Sequence, residues 1–441
     1  FIPSRTVRPG AANKGESVII PCFIRPFSED QILPLAIQPP LEIGTFHPPR
    51  RILLGPGPSD IHPQVKSALG QTVIGYLDPV FVSMMEELKT LMRYAFQTNN
   101  PLTFPISGPG SVGMETCFVN LVEPGDKVII CRNGVFGGRM IENVERCGGS
   151  AIVIEEEWGL PIDPQKLEDA LKANPDVRLV AFVHAETSTG AQSDAQALCD
   201  IARRHDCLTI VDTVTSLGGT PVLVDDWDAD AVYSGSQKCL SCTPGLAPVT
   251  FSERAIARIK ARKTPVQSWF MDLNLVLDYW SATQRTYHHT APGNSLYGLH
   301  EALRLLAAEG LENAWARHQR HHEALKAGLE ILGLEFVVPE GARLPQLNAV
   351  RIPEGIDDQA VRLALLNEYA VEIGAGLGPL AGKIWRFGLM GYSAREENVL
   401  GALSALEMVL AANGMKVDQG ASITAAQRVL AHHHHVPASS V

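Results

Sequence analysis

The chain has 441 residues, 45% hydrophobic and 19% charged, which are ordinary proportions for a globular protein with a sizeable core and room for two or three domains. Its formal net charge is −11 with acids and bases interspersed, and no long basic run offers a nucleic-acid footprint. No stretch reaches the roughly 18 consecutive apolar residues of a membrane helix, so a soluble protein with no membrane partner is expected.

Residues 1–49 are rich in proline and poor in periodic pattern, and read as a poorly ordered N-terminal extension. They lack a charged segment followed by an unbroken apolar core, so no secretory signal is expected there. From Arg51 onward, strand-like runs at 102–106, 127–131, 151–154, 179–183, 208–211 and 231–233 alternate with amphipathic stretches such as 164–173 and 195–205. That alternation predicts a mostly parallel sheet covered on both faces. Past residue 296 the texture changes. Two long amphipathic helices are expected at 295–310 and 311–332, then strands at 347–352 and 383–389, then a helix with Val399, Leu403, Leu406 and Leu410 at helical spacing. The expected organisation is α/β: the extension over 1–49, a large domain over 50–307, a smaller C-terminal α+β domain over 308–412 and a polar, Ala-rich, flexible tail over 413–441. The tail's run His432 to His435 is read as non-functional, with no metal site.

Eight cysteines are too sparse for a disulfide framework in a chain this long, and several lie in apolar runs, so a reducing cytoplasm is expected. Cys239 and Cys242 have a C-x-x-C spacing, but no second Cys/His cluster at zinc spacing lies nearby. Packing as small residues is the expected role.

Three segments point to chemistry. Gly108-Pro-Gly110-Ser-Val-Gly113 stands between a strand-like run and a helix-like one, where glycines let backbone N–H groups approach a phosphate. Alone it also fits a plain strand–helix turn, or an NAD-binding fold. The NAD reading would need an acid at the end of the next strand, and the run at 127–131 ends in Arg132 and Asn133. Asp212 follows the run 208–211, where open α/β sheets bind ligands, though it could equally cap a helix. Lys238 ends Ser234-Gly-Ser-Gln-Lys238, after the run 231–233. A lysine withdrawn from water there could form a Schiff base with an aldehyde, whereas on a surface loop it would be unremarkable.

In that order the three segments resemble those of fold-type I pyridoxal-phosphate (PLP) enzymes. The resemblance sharpens with Leu54-Gly-Pro-Gly-Pro-Ser59, Asn133-Gly-Val-Phe-Gly137, Glu186-Thr-Ser-Thr-Gly190, Asp212 to Gly219, Tyr287-His-His-Thr290 and Trp385-Arg-Phe-Gly-Leu389. Over about 51–412 the chain resembles class V aminotransferases, and within them the alanine–glyoxylate and serine–glyoxylate (serine–pyruvate) group. The resemblance implies pyridoxal 5′-phosphate as cofactor, a large domain with a seven-stranded type of mostly parallel sheet, and transfer of an amino group from alanine or serine to a small 2-oxo acid.

Carried over residue by residue, it makes Lys238 the catalytic lysine and Asp212 the partner of the pyridine nitrogen. Phe136 would stack on the ring, in place of the family's usual Trp, and Thr187 would touch the cofactor. Gly110 and Ser111 would contact the phosphate, with Gln237 assisting. Arg386 would bind the substrate carboxylate, and Tyr287 and Thr290 would reach the phosphate in a neighbouring subunit, making a homodimer with shared sites. Pro109 stands where related enzymes often carry Ser or Thr, so one phosphate hydrogen bond is expected to be missing or replaced. Cysteine desulfuration is disfavoured, because Gln237 precedes the lysine and no cysteine follows Cys242. Pyridoxamine or aminophosphonate donors remain as alternatives within the same family. Intact Lys238, Asp212 and Arg386 argue against a non-catalytic relative.

Overall fold

The computed structural model describes residues 36–37, 43–280 and 285–434. The chain divides into Phe1–Pro49 and Arg50–Val441, and most of the expected N-terminal extension lies outside the described residues. In the second unit the chain opens with β1 (Ile52–Leu54), α1 (Pro63–Leu69) and α2 (Pro79–Phe96). An α/β series follows: β2 (Leu102–Ser107), α3 (Gly110–Leu121), β3 (Lys127–Arg132), α4 (Val135–Arg146), β4 (Ser150–Glu155), α5 (Pro164–Ala173) and β5 (Leu179–Val183). A two-residue hairpin, β6 (Ala185–Glu186) and β7 (Ala191–Gln192), leads to α6 (Ala195–Arg204), β8 (Leu208–Asp212), α7 (Val224–Trp227), β9 (Ala231–Tyr233) and β10 (Leu246–Phe251). Then come α8 (Glu253–Lys260), α9 (Leu273–Trp280), α10 (Gly293–Glu309), α11 (Leu311–Ile331), β11 (Leu347–Arg351), α12 (Asp358–Glu368), β12 (Val371–Ala375), β13 (Ile384–Gly388), α13 (Glu396–Ala412) and α14 (Ala421–His434).

Among the described residues the larger sheet has seven strands in the order β2-β10-β9-β8-β5-β3-β4, and only β10 runs against the rest. β5 and β8 are buried along their whole length, as expected of central strands with helices on both faces. Asp163 and Asp194 start α5 and α6 by accepting the N–H groups of Gln165 and Ala197, so these helices begin where their capping acids stand. The expected α/β fold and parallel strands are present. β10 was not foreseen. It contains Pro248, opposite Pro105 of β2, and a proline argues against an inner strand when only the sequence is read.

The smaller sheet has the order β1-β12-β13-β11. Here the structure corrects two expectations. β1 falls inside the expected large domain (50–307), yet it pairs in parallel with β12, and Leu54 packs in one core cluster with Trp385, Phe387, Val399 and Leu403. Residues 421–434 are not a loose tail. Ser422, Ala426 and Leu430 recur at helical spacing, and all three are buried. The buried Glu407 of α13 accepts from Ser422 N–H (2.9 Å), Ser422 Oγ (2.6 Å) and Gly420 N–H (2.7 Å), which fixes the start of α14. Of the histidine run, His432 is exposed, and the side chains of 433–435 lie outside the described residues.

Candidate active site

The C-terminal ends of β2, β8 and β9 lie at one edge of the large sheet, where α/β folds bind ligands. Past β9 the chain continues as Ser234-Gly-Ser-Gln-Lys238, and small residues let it stay fastened to its neighbours. Ser234 N–H donates to Pro248 O (2.8 Å) and Ser234 Oγ to Thr213 O (3.0 Å), while Ser236 Oγ donates to Thr243 O (2.6 Å). The backbone leading to Lys238 is therefore rigid. Its ammonium is bonded to the carbonyl of Pro56 and withdrawn from water, which pushes its pKa down to about 8. Residues 56–59 line this lysine closely. Ser59 Oγ donates to Lys238 O (2.8 Å), and Gly57, at φ +110°, lies where a Cβ would stand 2.5 Å from Nζ. The sequence had marked this stretch only as a resemblance; the approach of Gly57 to Lys238 shows only in the fold.

Asp212 ends β8 opposite Tyr233 of β9 and is 3% exposed. Burial pushes its pKa up to about 7, against the pull of two donors, Val214 N–H (2.8 Å) and Tyr233 Oη (2.8 Å). No helix starts at Asp212. The chain turns through 213–220 instead, so the carboxylate is not a helix cap. Tyr233 is a contributor that the sequence reading missed. Its place became visible only through the register that sets it across from Asp212.

The glycine segment is a helix start. α3 begins at Gly110, its N-cap Pro109 makes no side-chain cap bond, and Ser111 is exposed at its first turn. Free N–H groups and the positive end of the helix dipole are thus left for an anion. Residue 109, a proline, brings no hydroxyl to this helix start. A Cβ on Gly110 would stand 3.0 Å from Val214, and one on Gly113 3.0 Å from Ala247, so both glycines bring the helix close to the sheet. Gln237 Oε1 is buried with no hydrogen-bond partner among the described residues.

The hairpin loop 186–190 supplies the next group. Thr187 pairs its hydroxyl with that of Thr215, and its carbonyl accepts from Arg386 Nη1 (2.9 Å). Arg386 Nε donates to Ala375 O (2.8 Å), so two backbone carbonyls aim the guanidinium. Arg386 is 5% exposed, and burial lowers its pKa to about 10, with the Glu186 carboxylate acting the other way. Phe136 lies in the first turn of α4, partly buried, with the Arg139 guanidinium 4.9 Å from its ring centre. Lys238, Asp212, Gln237, Gly110, Thr187 and Arg386 therefore belong to one neighbourhood.

Tyr287 and Thr290 stand apart from it. Both are exposed, and their hydroxyls meet each other at 3.1 Å. Their loop is fastened to the end of β2 by His289 Nε2 and Ser107 Oγ (2.9 Å). Cys239 and Cys242 are free and buried, and a Cβ on Gly219 would stand 2.5 Å from Cys239 Sγ, so the pair packs as small residues.

Three features fit a phosphorylated aromatic aldehyde: an amine of lowered pKa, a buried acid whose proton affinity is raised until it meets a basic ring nitrogen, and an uncapped helix start. A family model described as Aminotransferase class-V matches residues 75–397. The (S)-ureidoglycine–glyoxylate transaminase of Bacillus subtilis is 39% identical over 397 residues, covering 86% of this chain and 95% of that protein. The alanine–glyoxylate aminotransferase of Drosophila melanogaster is 39% identical over 392 residues, covering 87% and 98%. The crystal structure of the alanine–glyoxylate aminotransferase of Nostoc sp. superposes with a TM-score of 0.83 at 46% identity, covering 85% of this chain and all of that one. Matched in family model, sequence and fold, the chain belongs to the class V aminotransferases, enzymes that work with pyridoxal 5′-phosphate.

Proposed function

We propose that the enzyme transfers the amino group of a small amino acid, alanine or serine, to glyoxylate or a similarly small 2-oxo acid. The observation that carries this reading is Arg386, a buried guanidinium aimed by Thr187 O and Ala375 O beside the lysine turn. Amino donor and oxo acceptor share one feature, an α-carboxylate. One arginine can bind each in turn, which is the logic of a ping-pong cycle. The names of the relatives share glyoxylate and differ in the donor, alanine or (S)-ureidoglycine.

When bound, PLP supplies an electron sink for the substrate's Cα–H bond pair. The chain's own groups do the rest. Lys238 Nζ, whose pKa burial lowers to about 8, would hold the cofactor through its neutral amine and, when free, would accept the Cα proton. Asp212, oriented by Tyr233 Oη and Val214 N–H, keeps a proton on the ring nitrogen. The α3 start, with Gly110, Ser111 and Gln237, would take the phosphate; Phe136 would stack on the ring and Thr187 would touch the cofactor. Tyr287 and Thr290 complete the site of a second copy, since both are exposed and offer hydroxyls to it. The working unit is then a homodimer. Seven free buried cysteines among the described residues support a reducing compartment such as the cytoplasm. The boundary near residue 308, with β1 reassigned to the smaller sheet, is part of the same proposal.

The test is direct. Purified protein with PLP is given alanine, serine, (S)-ureidoglycine or pyridoxamine with glyoxylate, and glycine is quantified. Glycine formation with alanine or serine supports the reading. Glycine only with pyridoxamine or (S)-ureidoglycine, or none at all, refutes it.

A further inference from the structure

α4 begins without a cap of its own. Gly134, at its N-cap, makes no side-chain bond, and the first N–H groups of the helix are met by a distant loop. Val135 N–H donates to Ser188 Oγ (3.0 Å), and Phe136 N–H donates to Glu186 Oε2 (3.2 Å). Glu186 Oε1 accepts from Ser188 N–H (3.0 Å) and from the Ser188 hydroxyl (2.6 Å). Glu186 is 0% exposed, and its carboxyl oxygens are met by two backbone N–H groups and a hydroxyl. Burial pushes its pKa up, while these donors and the positive end of α4 oppose the rise. The fit is close: a Cβ on Gly134 would stand 2.4 Å from Glu186 Cδ and from Ser188 Oγ. Thr187, between the two, is the residue whose carbonyl holds Arg386.

We infer that Glu186 is a positioning residue: residues 186–188 form a joint that caps the helix carrying Phe136 and also holds Arg386, so one buried anion sets both the ring-stacking side chain and the carboxylate clamp. This rests on the roles proposed above for Phe136 and Arg386. A conventional N-cap residue serves only its own helix. Here the cap is tertiary, and its failure must be felt at two places in the pocket at once.

Glu186→Gln keeps the size of the side chain, removes the charge and turns an NH₂ toward N–H donors. In the holoenzyme it is expected to raise the cofactor's dissociation constant about tenfold or more. It should also weaken the visible circular-dichroism band of the bound cofactor and raise KM for amino donor and oxo acceptor together. Ser188→Ala, which removes one donor to Glu186 and the acceptor of Val135 N–H, should produce the cofactor effects and the rise in KM together, in smaller measure. Phe136→Ala and Arg386→Ala serve as controls for cofactor affinity and for KM. If both controls respond while folded Glu186→Gln keeps wild-type affinity, dichroism and KM, the joint does not exist and the site assignment still stands. If the controls do not respond, the roles of Phe136 and Arg386 fall first, and the inference with them. Should Glu186→Gln not fold, Glu186→Asp, charged but one methylene shorter, is measured in the same way, and unchanged values there overturn the inference.

Discussion

In a Gly57→Ala variant the new methyl group would be built where Lys238 now lies, with 2.5 Å to Nζ, 2.8 Å to Cδ and 2.9 Å to Cε. Two costs follow, and they differ in kind. The first is conformational: φ +110° is a region that an L side chain rarely adopts, worth about 1–3 kcal/mol of stability. The second is positional. Ordinary contact begins at 3.4 Å, so Nζ must retreat by about 0.9 Å, and a misplacement of about 1 Å at a reacting atom costs on the order of 100-fold in rate. The far end of a lysine is flexible, so the fold tolerates the retreat while the chemistry does not. Stopped-flow measurement of the amino-donor half-reaction, alongside urea unfolding, separates the two. Loss of about two decades in the half-reaction rate with a folded, cofactor-binding protein is expected. Wild-type rate constants in a variant verified by sequencing and mass would refute the reasoning, because they would mean that Lys238 works from a position that Gly57 does not border.

Arg386→Ala should lower kcat/KM for both donor and acceptor by one to two decades, since a hydrogen bond to a charged partner is worth about 1.5–3 kcal/mol; an effect on one substrate alone argues against a shared carboxylate site. The rate of PLP capture by apo-protein should rise with pH and level off above about 8, because only the neutral amine attacks and burial lowers the pKa of Lys238 to that value. A rise continuing toward 10.5 would show an amine still solvated as in water. Leu430→Ala should cost about 2–5 kcal/mol in urea unfolding, because Leu430 is 3% exposed on α14, and leave kcat unchanged. A cost below about 0.5 kcal/mol would return this segment to the status of a surface tail.

How much the sequence disclosed follows from the range of the interactions involved. β5 and β9 lie within the limits that their apolar runs predict, and α5 within those of its amphipathic stretch over 164–173. Asp212, the last residue of β8, and Lys238, five residues past β9, stand close to their own apolar runs, which is why the sequence points to them. Gly57 and the joint 186–188 could not be found this way, since their meaning lies in contacts with Lys238 and with α4, far along the chain. β10 was hidden by Pro248, and α14 by a polar, alanine-rich composition that masks three buried positions four residues apart. Local patterns report local structure; a pocket assembled from distant segments shows only its strand-end members.

The smaller sheet explains why the misplaced strand matters for function. β1 pairs with β12, and the chain leaving it passes beneath β13, so closely that a Cβ on Gly388 would stand 2.0 Å from Gly55 O and one on Gly374 2.4 Å from Pro56 Cδ. Two residues further on, that same segment borders Lys238 through the Pro56 carbonyl and Gly57. β13 itself carries Arg386. One sheet therefore delivers both the arginine and the wall against which the lysine rests. The glycines at 374 and 388 leave no slack between them, because close-packed backbone transmits a shift instead of absorbing it. Any displacement of this sheet must move Arg386 and the lysine's border together. On the proposed roles, backbone pairing would then keep the geometry between a substrate carboxylate at Arg386 and the amine of Lys238.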